Sequence, residues 1–384
     1  MNNFIFQTTA TIINEPGVTS RLGEIAASLG MHRVLLVSDP GIAKIGLLEL
    51  AESGLRTGGM EVSVFAEVLA DPPVDNIMAA LNQAREFNAD GVIGFGGGSS
   101  MDVAKLIAFL SNSEQGLAEI YGVGIARGKR LPLILVTTTA GTGSEVTPIA
   151  IVTTGENEKK GVVSPLLLPD IAILDAELTV GLPPRVTAMT GIDAMVHAIE
   201  AYTTRVKKNP ISDTLARQGL KLLFENIRAA IANGHDLEAR SKMLVGALLA
   251  GQAFANAPVG AVHALAYPIG GQYHVAHGLS NSLVLPHVMR FNLPVASREY
   301  AELARELFSD LGTTSDLAAG ARLIGALEQL MVDVQLETRL NQVGIGKEAL
   351  PVLAEAAMLQ TRLLVNNPRD VGYEDALQIY RDAW

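Results

Sequence analysis

One stretch narrows the folds open to this chain more than any other. From Met243 to Met289 there is no Asp, Glu, Lys or Arg. A segment so poor in charge leaves water, either for a bilayer or for the interior of a large core. Gln252, Asn256, Pro258, His263 and several glycines interrupt the run. Polar groups and helix breakers at that density suit a helix pair buried in a globular protein better than a membrane span. The histidines are then the only side chains in the stretch that ionise readily near neutral pH.

Those histidines extend a pattern that begins upstream. Asp193 and His197 stand four apart in a run of helical period, so on a helix they share one face. His263, His274 and His277 follow; of the seven histidines in the chain, five (His197, His263, His274, His277 and His287) fall in this region. One carboxylate and three imidazoles, from Asp193, His197, His263 and His277, make a four-donor set for a divalent first-row metal. Taken singly, each has another reading: an ordinary i,i+4 pair for Asp193 and His197, core or helix-end residues for the others.

With 384 residues, 48% of them hydrophobic, the chain has material for two domains with sizeable cores. Its net charge of −11 and the lack of any basic block longer than Arg127-Gly128-Lys129-Arg130 argue against nucleic acid and anionic membranes as partners. The absence of cysteine removes disulfides and thiolate chemistry. The first residues, Met1-Asn2-Asn3-Phe4-Ile5-Phe6, lack the basic and apolar regions of a signal peptide, and the expected location is the cytoplasm.

Short β-branched runs at 33–38, 61–65, 90–95, 131–137, 149–153 and 171–174 alternate in the first half with amphipathic helical runs at 41–55, 74–87 and up to 110. That pattern predicts a mainly parallel sheet covered on both faces. Residues 4–13 alternate loosely and read as one more strand. Beyond Gly181-Leu182-Pro183-Pro184 strand signals stop, and helical periods run through 185–204, 210–232, 236–256, 278–291, 297–310, 316–333 and 347–358. The expected fold is an α/β domain over residues 1–180 followed by an all-helical domain over 181–384.

The strand at 90–95 runs into Gly96-Gly97-Gly98-Ser99-Ser100 and then a helix. Glycines there let a pyrophosphate approach a helix N-terminus; a tight strand–helix turn with a serine cap is the other reading. The spacing is not that of the common dinucleotide fingerprint, because Ser99 falls where the third glycine belongs. Asp39, at the end of the strand 33–38, can bind ribose hydroxyls and repel a 2′-phosphate, or cap the helix after Asp39-Pro40-Gly41. Thr137 to Thr147, rich in hydroxyls and glycines after another strand, suits a ligand crevice or a plain polar loop.

These pieces occur in a familiar order. Asp39, the GGGSS-x-D-V-A-K loop, TTTAGTGSEVT, GIDAMVHAIE and HALAYPIGG…HGLSNSLVLPH together resemble the iron-dependent (group III) alcohol dehydrogenases, which include lactaldehyde reductases and propanediol dehydrogenases, across nearly the whole chain. The resemblance implies a dehydroquinate-synthase-like fold, an N-terminal dinucleotide domain with a mainly parallel sheet plus an all-α C-terminal domain, and an active site in the cleft between them. It implies NAD as cofactor, Fe2+ as metal with Zn2+ compatible by donor type, a small alcohol or aldehyde as substrate, and a homodimer or higher homo-oligomer. The metal ligands carry over as Asp193, His197, His263 and His277, and the pyrophosphate loop as Gly97, Gly98 and Ser99. Asp102 falls near the nicotinamide, Thr138, Thr139 and Thr142 contact the cofactor, Lys159 reaches its ribose, and Phe254 belongs to the substrate pocket.

Four positions depart from the family pattern. Tyr267 stands where a histidine near the nicotinamide is frequent, so the ribose hydroxyl and water, or His274 if it turns toward the cleft, become the expected proton route. Ile149 replaces a polar residue of diol-reducing members, which with Phe254 and Pro258 predicts an apolar pocket mouth. Asp71 stands where some members have an asparagine beside the cofactor, and Thr137 where proline is usual. Among rivals, a metal-dependent lyase of the dehydroquinate synthase kind needs a basic pocket, against which the charge-free stretch counts. A maleylacetate reductase need not keep the four ligands, and a non-catalytic dinucleotide sensor would have lost them.

Overall fold

The computed structural model describes residues 3–155 and 158–384. The chain divides into two compact units, Gln7–Gly181 and Leu182–Trp384, the second joined by the segment ending at Phe6.

Among the described residues the first unit contains nine strands: β1 (Thr11–Asn14), β2 (Arg33–Val37), β3 (Glu61–Phe65), β4 (Gly91–Gly96), β5 (Gly122–Val123), β6 (Leu133–Thr137), β7 (Ile149–Thr154), β8 (Glu158–Val163) and β9 (Ile171–Leu174). Its helices are α1 (Leu22–Ser28), α2 (Pro40–Lys44), α3 (Leu47–Thr57), α4 (Val74–Glu86) and α5 (Gly98–Leu110). Six strands form an all-parallel sheet in the order β1-β9-β6-β4-β2-β3. Side chains alternate between its faces. Leu35, Val37, Leu133 and Leu135 pack with Ile77, Leu81 and Phe109 of α4 and α5. Val34, Leu36, Ile134 and Val136 pack with Leu22, Leu48 and Leu55 of α1 and α3. Two buried faces explain the unbroken apolar runs of β4 and β6. Gly94 lets α5 close on the sheet: a Cβ there would lie 2.7 Å from Ala104 Cβ and Leu135 Cδ2.

The strand order reverses beside β2. The chain passes from β2 outward to β3, then returns to lay β4 on the other side of β2. In parallel sheets ligands bind outside the carboxyl ends of the strands at such a switch point. Asp39 follows β2, the glycine loop follows β4 and the threonine loop follows β6, three neighbouring strands, so all three segments meet at that edge.

Local expectations needed correction in three places here. The strand at 149–153 lies outside the parallel sheet; β7 runs antiparallel to β8 in a second sheet of order β5-β8-β7, because β8 follows it closely enough to form a hairpin. The helix expected at 41–55 is two helices, broken where Gly46 adopts φ 78°. Of residues 4–13, only those from Thr11 onward form a strand, where β9 offers an edge to pair with.

The second unit is built from α6 (Pro184–Thr203), α7 (Pro210–Ala232), α8 (Leu237–Asn256), α9 (Ala261–Tyr273), α10 (His277–Leu307), α11 (Asp316–Asp333), α12 (Leu350–Met358), α13 (Thr361–Leu364) and α14 (Tyr373–Ala383). From Gly191 to Thr203 every residue of α6 is buried, and α7, α8 and α10 pack around it. A helix buried on all sides is a core helix, and the polar side chains of Asp193, His197 and Glu200 are therefore interior groups. The charge-free stretch becomes the end of α8, all of α9 and the start of α10. Among the described residues no single helix is long and apolar enough to cross a membrane; α8 and α9 together reach that length but bend by 106° between them. The helical pattern had not revealed α9, since Pro268 and the paired Gly270 and Gly271 mask its period. The runs expected at 278–291 and 297–310 are the two helical segments of α10, separated by a kink at Ala296, whose backbone is non-helical, just after Pro294.

Candidate active site

Three helices of the second unit bring the sequence-selected ligands together. Asp193 and His197 lie one turn apart on α6, His263 lies in the first turn of α9, and His277 is the first residue of α10. One donor atom from each of Asp193, His197, His263 and His277 lies within 4.8 Å of the others. The first three are buried, while the His277 side chain is 47% exposed and leaves the cluster a wet side. Gly278 allows the approach of α10 to α6, for a Cβ there would overlap the Met189 carbonyl and crowd Asp193.

The electrostatics favour a cation at this point. Burial alone would raise the Asp193 pKa, but His277, His197 and His263, with a hydrogen bond from Asn281, outweigh it and hold the carboxyl below the usual range. Burial likewise opposes a charged His263, yet the hydrogen bond and charge of Glu200, aided by Asp193, raise its pKa. The His263 Nδ1–Glu200 Oε2 distance is 2.6 Å, and Glu200 Oε1 accepts from the Val262 amide at 2.7 Å. A carboxylate can only accept, so Nδ1 carries a proton, and in the neutral ring Nε2 keeps its lone pair. This is how second-sphere carboxylates orient metal-binding imidazoles. The donor set and its orientation fit a divalent first-row metal.

The first unit gathers the nucleotide candidates. Gly97 is the N-cap of α5 and Gly98 its first residue, followed by Ser99, so free backbone N–H groups and the positive end of the helix dipole face the loop. Gly96 adopts φ 151°, where a Cβ would lie 2.8 Å from Ser100 Oγ. Thr139 and Thr142 border the loop; a Cβ on Gly97 would be 3.8 Å from Thr139 Oγ1, and one on Gly98 3.0 Å from Thr142 Cγ2. The Thr138 and Thr139 hydroxyls are buried with no partner among the described residues. Buried hydroxyls left unpaired beside a glycine-lined helix N-terminus fit a polar ligand such as a dinucleotide. Asp39 is a helix cap: Oδ1 caps α2 through the Gly41 and Ile42 amides at 2.9 and 3.1 Å, and Oδ2 accepts from Ser100 Oγ at 3.1 Å, at the edge of the glycine loop.

Comparisons with known proteins agree over almost the full length. A family model described as "Iron-containing alcohol dehydrogenase" matches residues 9–176, and one described as "Fe-containing alcohol dehydrogenase family, C-terminal" matches residues 187–384. The chain belongs to the iron-containing alcohol dehydrogenase family. It is 41% identical to Long-chain-alcohol dehydrogenase 1 of Geobacillus thermodenitrificans, over 96% of this chain and 93% of that protein. It is 33% identical to the NAD-dependent methanol dehydrogenase of Bacillus methanolicus, over 100% of both. The crystal structure of a 1,3-propanediol oxidoreductase superposes with a TM-score of 0.96 at 35% identity, covering 100% of both chains. This protein is therefore an oxidoreductase of the alcohol dehydrogenase type.

The remaining candidates of this dehydrogenase divide by position. Phe254 on α8 stacks on His197 with ring centroids 4.3 Å apart, and Tyr267 on α9 has its ring 5.9 Å from His277 and 6.4 Å from His263. Pro258 lies in the link between α8 and α9. His274 is not brought to the cluster: it caps α9 in the left-handed conformation, φ 54°, with an exposed side chain, because the chain must turn there before α10. In the first unit, Lys159 and Asp71 form an ion pair with each other. Asp102 is tied into a polar knot, accepting from Ser144 Oγ at 2.6 Å and the Ile151 amide at 3.0 Å. The fully buried Lys105 completes it, donating to Ser144 Oγ and to the carbonyl of Ile149, each at 2.7 Å. Burial lowers the Lys105 pKa, against the pull of Asp102 and Glu145. Ile149 thus belongs to the strand that this knot anchors.

Sequence reasoning passed over Glu200, Asn281 and Lys105. Glu200 had a legible signal, since it ends the same helical run as Asp193 and His197, seven residues after the aspartate and on its face. Asn281, four residues after His277, had the same kind of signal.

Proposed function

We propose that this dehydrogenase catalyses the reversible, NAD-linked, metal-dependent oxidation of small primary alcohols to aldehydes, and that it works as a homodimer or larger homo-oligomer. The observation that carries the reading is the convergence of Asp193, His197, His263 and His277 within 4.8 Å, walled by the Phe254 ring. A divalent ion held by these four, Fe2+ by family and Zn2+ by donor type alone, supplies Lewis acidity that lowers the alcohol's pKa and offsets charge developing on its oxygen. NAD supplies the hydride acceptor.

The residues of this chain do the rest. Glu200 fixes the His263 tautomer, and Phe254 covers His197 with an apolar surface that limits water on that side. Gly97, Gly98 and Ser99 offer the helix N-terminus to the pyrophosphate, Thr138 and Thr139 offer hydroxyls, and Asp39 discriminates at the adenosine ribose. Thr142 borders the glycine loop, Asp102 stands on α5 four residues after Gly98, and Lys159 on β8 pairs with Asp71; these serve the cofactor through position. Phe254 and Pro258 offer a substrate no partner for a second hydroxyl. A buried unpaired hydroxyl costs roughly 1–3 kcal/mol. Simple aliphatic or aromatic primary alcohols should therefore exceed 1,2-diols in kcat/KM by about 5- to 150-fold, which is that cost expressed as a rate ratio. An alcohol and aldehyde panel with NADH and NADPH on anaerobically Fe2+-loaded protein tests this; a clear preference for 1,2-diols would contradict it.

Tyr267 shapes the site rather than moving the proton. A phenol with the ordinary pKa near ~10 is a poor base at neutral pH, so the proton leaves through the ribose hydroxyl and water. Tyr267→Phe should keep most of kcat. A loss of several orders of magnitude, with metal and NAD binding intact, would make the phenol part of the relay.

A further inference from the structure

Asn281 lies on α10 one turn beyond His277 and is fully buried. Its amide nitrogen donates to Asp193 Oδ1 at 2.6 Å, and it lies 3.2 Å from His277 Nε2 and 3.4 Å from His263 Nε2. Three of the four candidate ligands thus surround one uncharged side chain. Chemistry sets which end of the amide faces them. The Asp193 carboxylate presents lone pairs only, so it faces the NH2 group. The amide oxygen at the other end is buried without a partner among the described residues. Leaving that oxygen unpaired opposes this orientation, so the bond to Asp193 is what holds it.

We propose that Asn281 is a positioning residue of the metal centre: its N–H fixes the rotation of the Asp193 carboxylate and thereby sets how tightly the site holds a divalent cation, without itself being a ligand. The proposal rests on the four-residue metal site described above. It assigns complementary tasks to two buried neighbours, Glu200 acting through His263 and Asn281 acting through Asp193. Neither touches the substrate, so both act on metal affinity.

Asn281→Leu keeps similar volume and removes the donor, and Asn281→Ala covers the case in which a branched side chain disturbs α10. Affinity for Co2+ and Zn2+, measured by competition with a chelator, should fall by about 10–100-fold in both variants, as for other second-sphere residues. NAD+ binding should stay unchanged, and the visible spectrum of the Co2+ form should shift because one ligand has reoriented. Since Asn281 and Glu200 act through different ligands, the losses in an Asn281→Leu, Glu200→Gln double variant should multiply. Metal affinity within about threefold of wild type in both single variants, well short of the usual second-sphere effect, or tighter binding in either, overturns the proposal. Wild-type protein that binds neither ion overturns the metal site itself, and the proposal with it.

Discussion

His263→Ala should strip the metal from the protein and lower kcat/KM by at least about three orders of magnitude, roughly 4 kcal/mol of lost transition-state stabilisation. His263 sits at the centre of the cluster, its ring 4.9 Å from that of His197 and 5.4 Å from that of His277, with Glu200 behind it. Truncation removes a nitrogen donor and leaves Glu200 buried without its His263 partner. An unpaired buried carboxylate costs several kcal/mol or takes up a proton. The variant should therefore be less stable, but the large core around α6 should keep it folded. Glu200→Gln combined with His263→Ala should restore part of that stability without restoring metal. Metal content, kinetics and thermal unfolding on the same preparations separate these effects; retention of both metal and activity in His263→Ala would remove the residue from the site.

Asp39→Gly should shift the ratio of kcat/KM for NADH over NADPH by one to two orders of magnitude, on the order of 1–3 kcal/mol of charge repulsion with a 2′-phosphate. The same change removes the cap of α2 and the acceptor for Ser100, which costs about 1 kcal/mol of stability. Asp39→Asn separates the two roles. It keeps an oxygen for the Gly41 and Ile42 amides but drops the charge, so cofactor preference should move while the unfolding temperature stays nearly unchanged. If wild type already uses NADPH as well as NADH, Asp39 is a cap and nothing more.

The division of the chain into a sheet-bearing half and a helical half was legible because periodicity changes at Gly181. So was the grouping of Asp193, His197, His263 and His277, because a carboxylate and imidazoles around a charge-free core have few other uses. What escaped is informative. The helix α9, which carries His263 and Tyr267, was hidden by Pro268 and two glycines, although its residues lie among the most buried of the protein. The strand β8 was hidden by Glu158, Lys159 and Lys160, charges that a small surface sheet tolerates and a central one does not. His274 looked as good a candidate as its neighbours by residue type. Its position at a left-handed helix end, fixed by the turn into α10, takes it out of the cluster. Glu200 and Asn281 were missed because attention went to residues that ligate rather than to those that orient ligands.

The central claim is that Asp193, His197, His263 and His277 hold the ion on which turnover depends. The direct measurement is elemental analysis of purified protein reloaded anaerobically with Fe2+, paired with its activity before and after chelation. The account predicts about one divalent ion per chain, loss of turnover when a chelator removes it with NAD+ binding retained, and recovery on adding the ion back. Full activity in protein that carries no stoichiometric metal would contradict it.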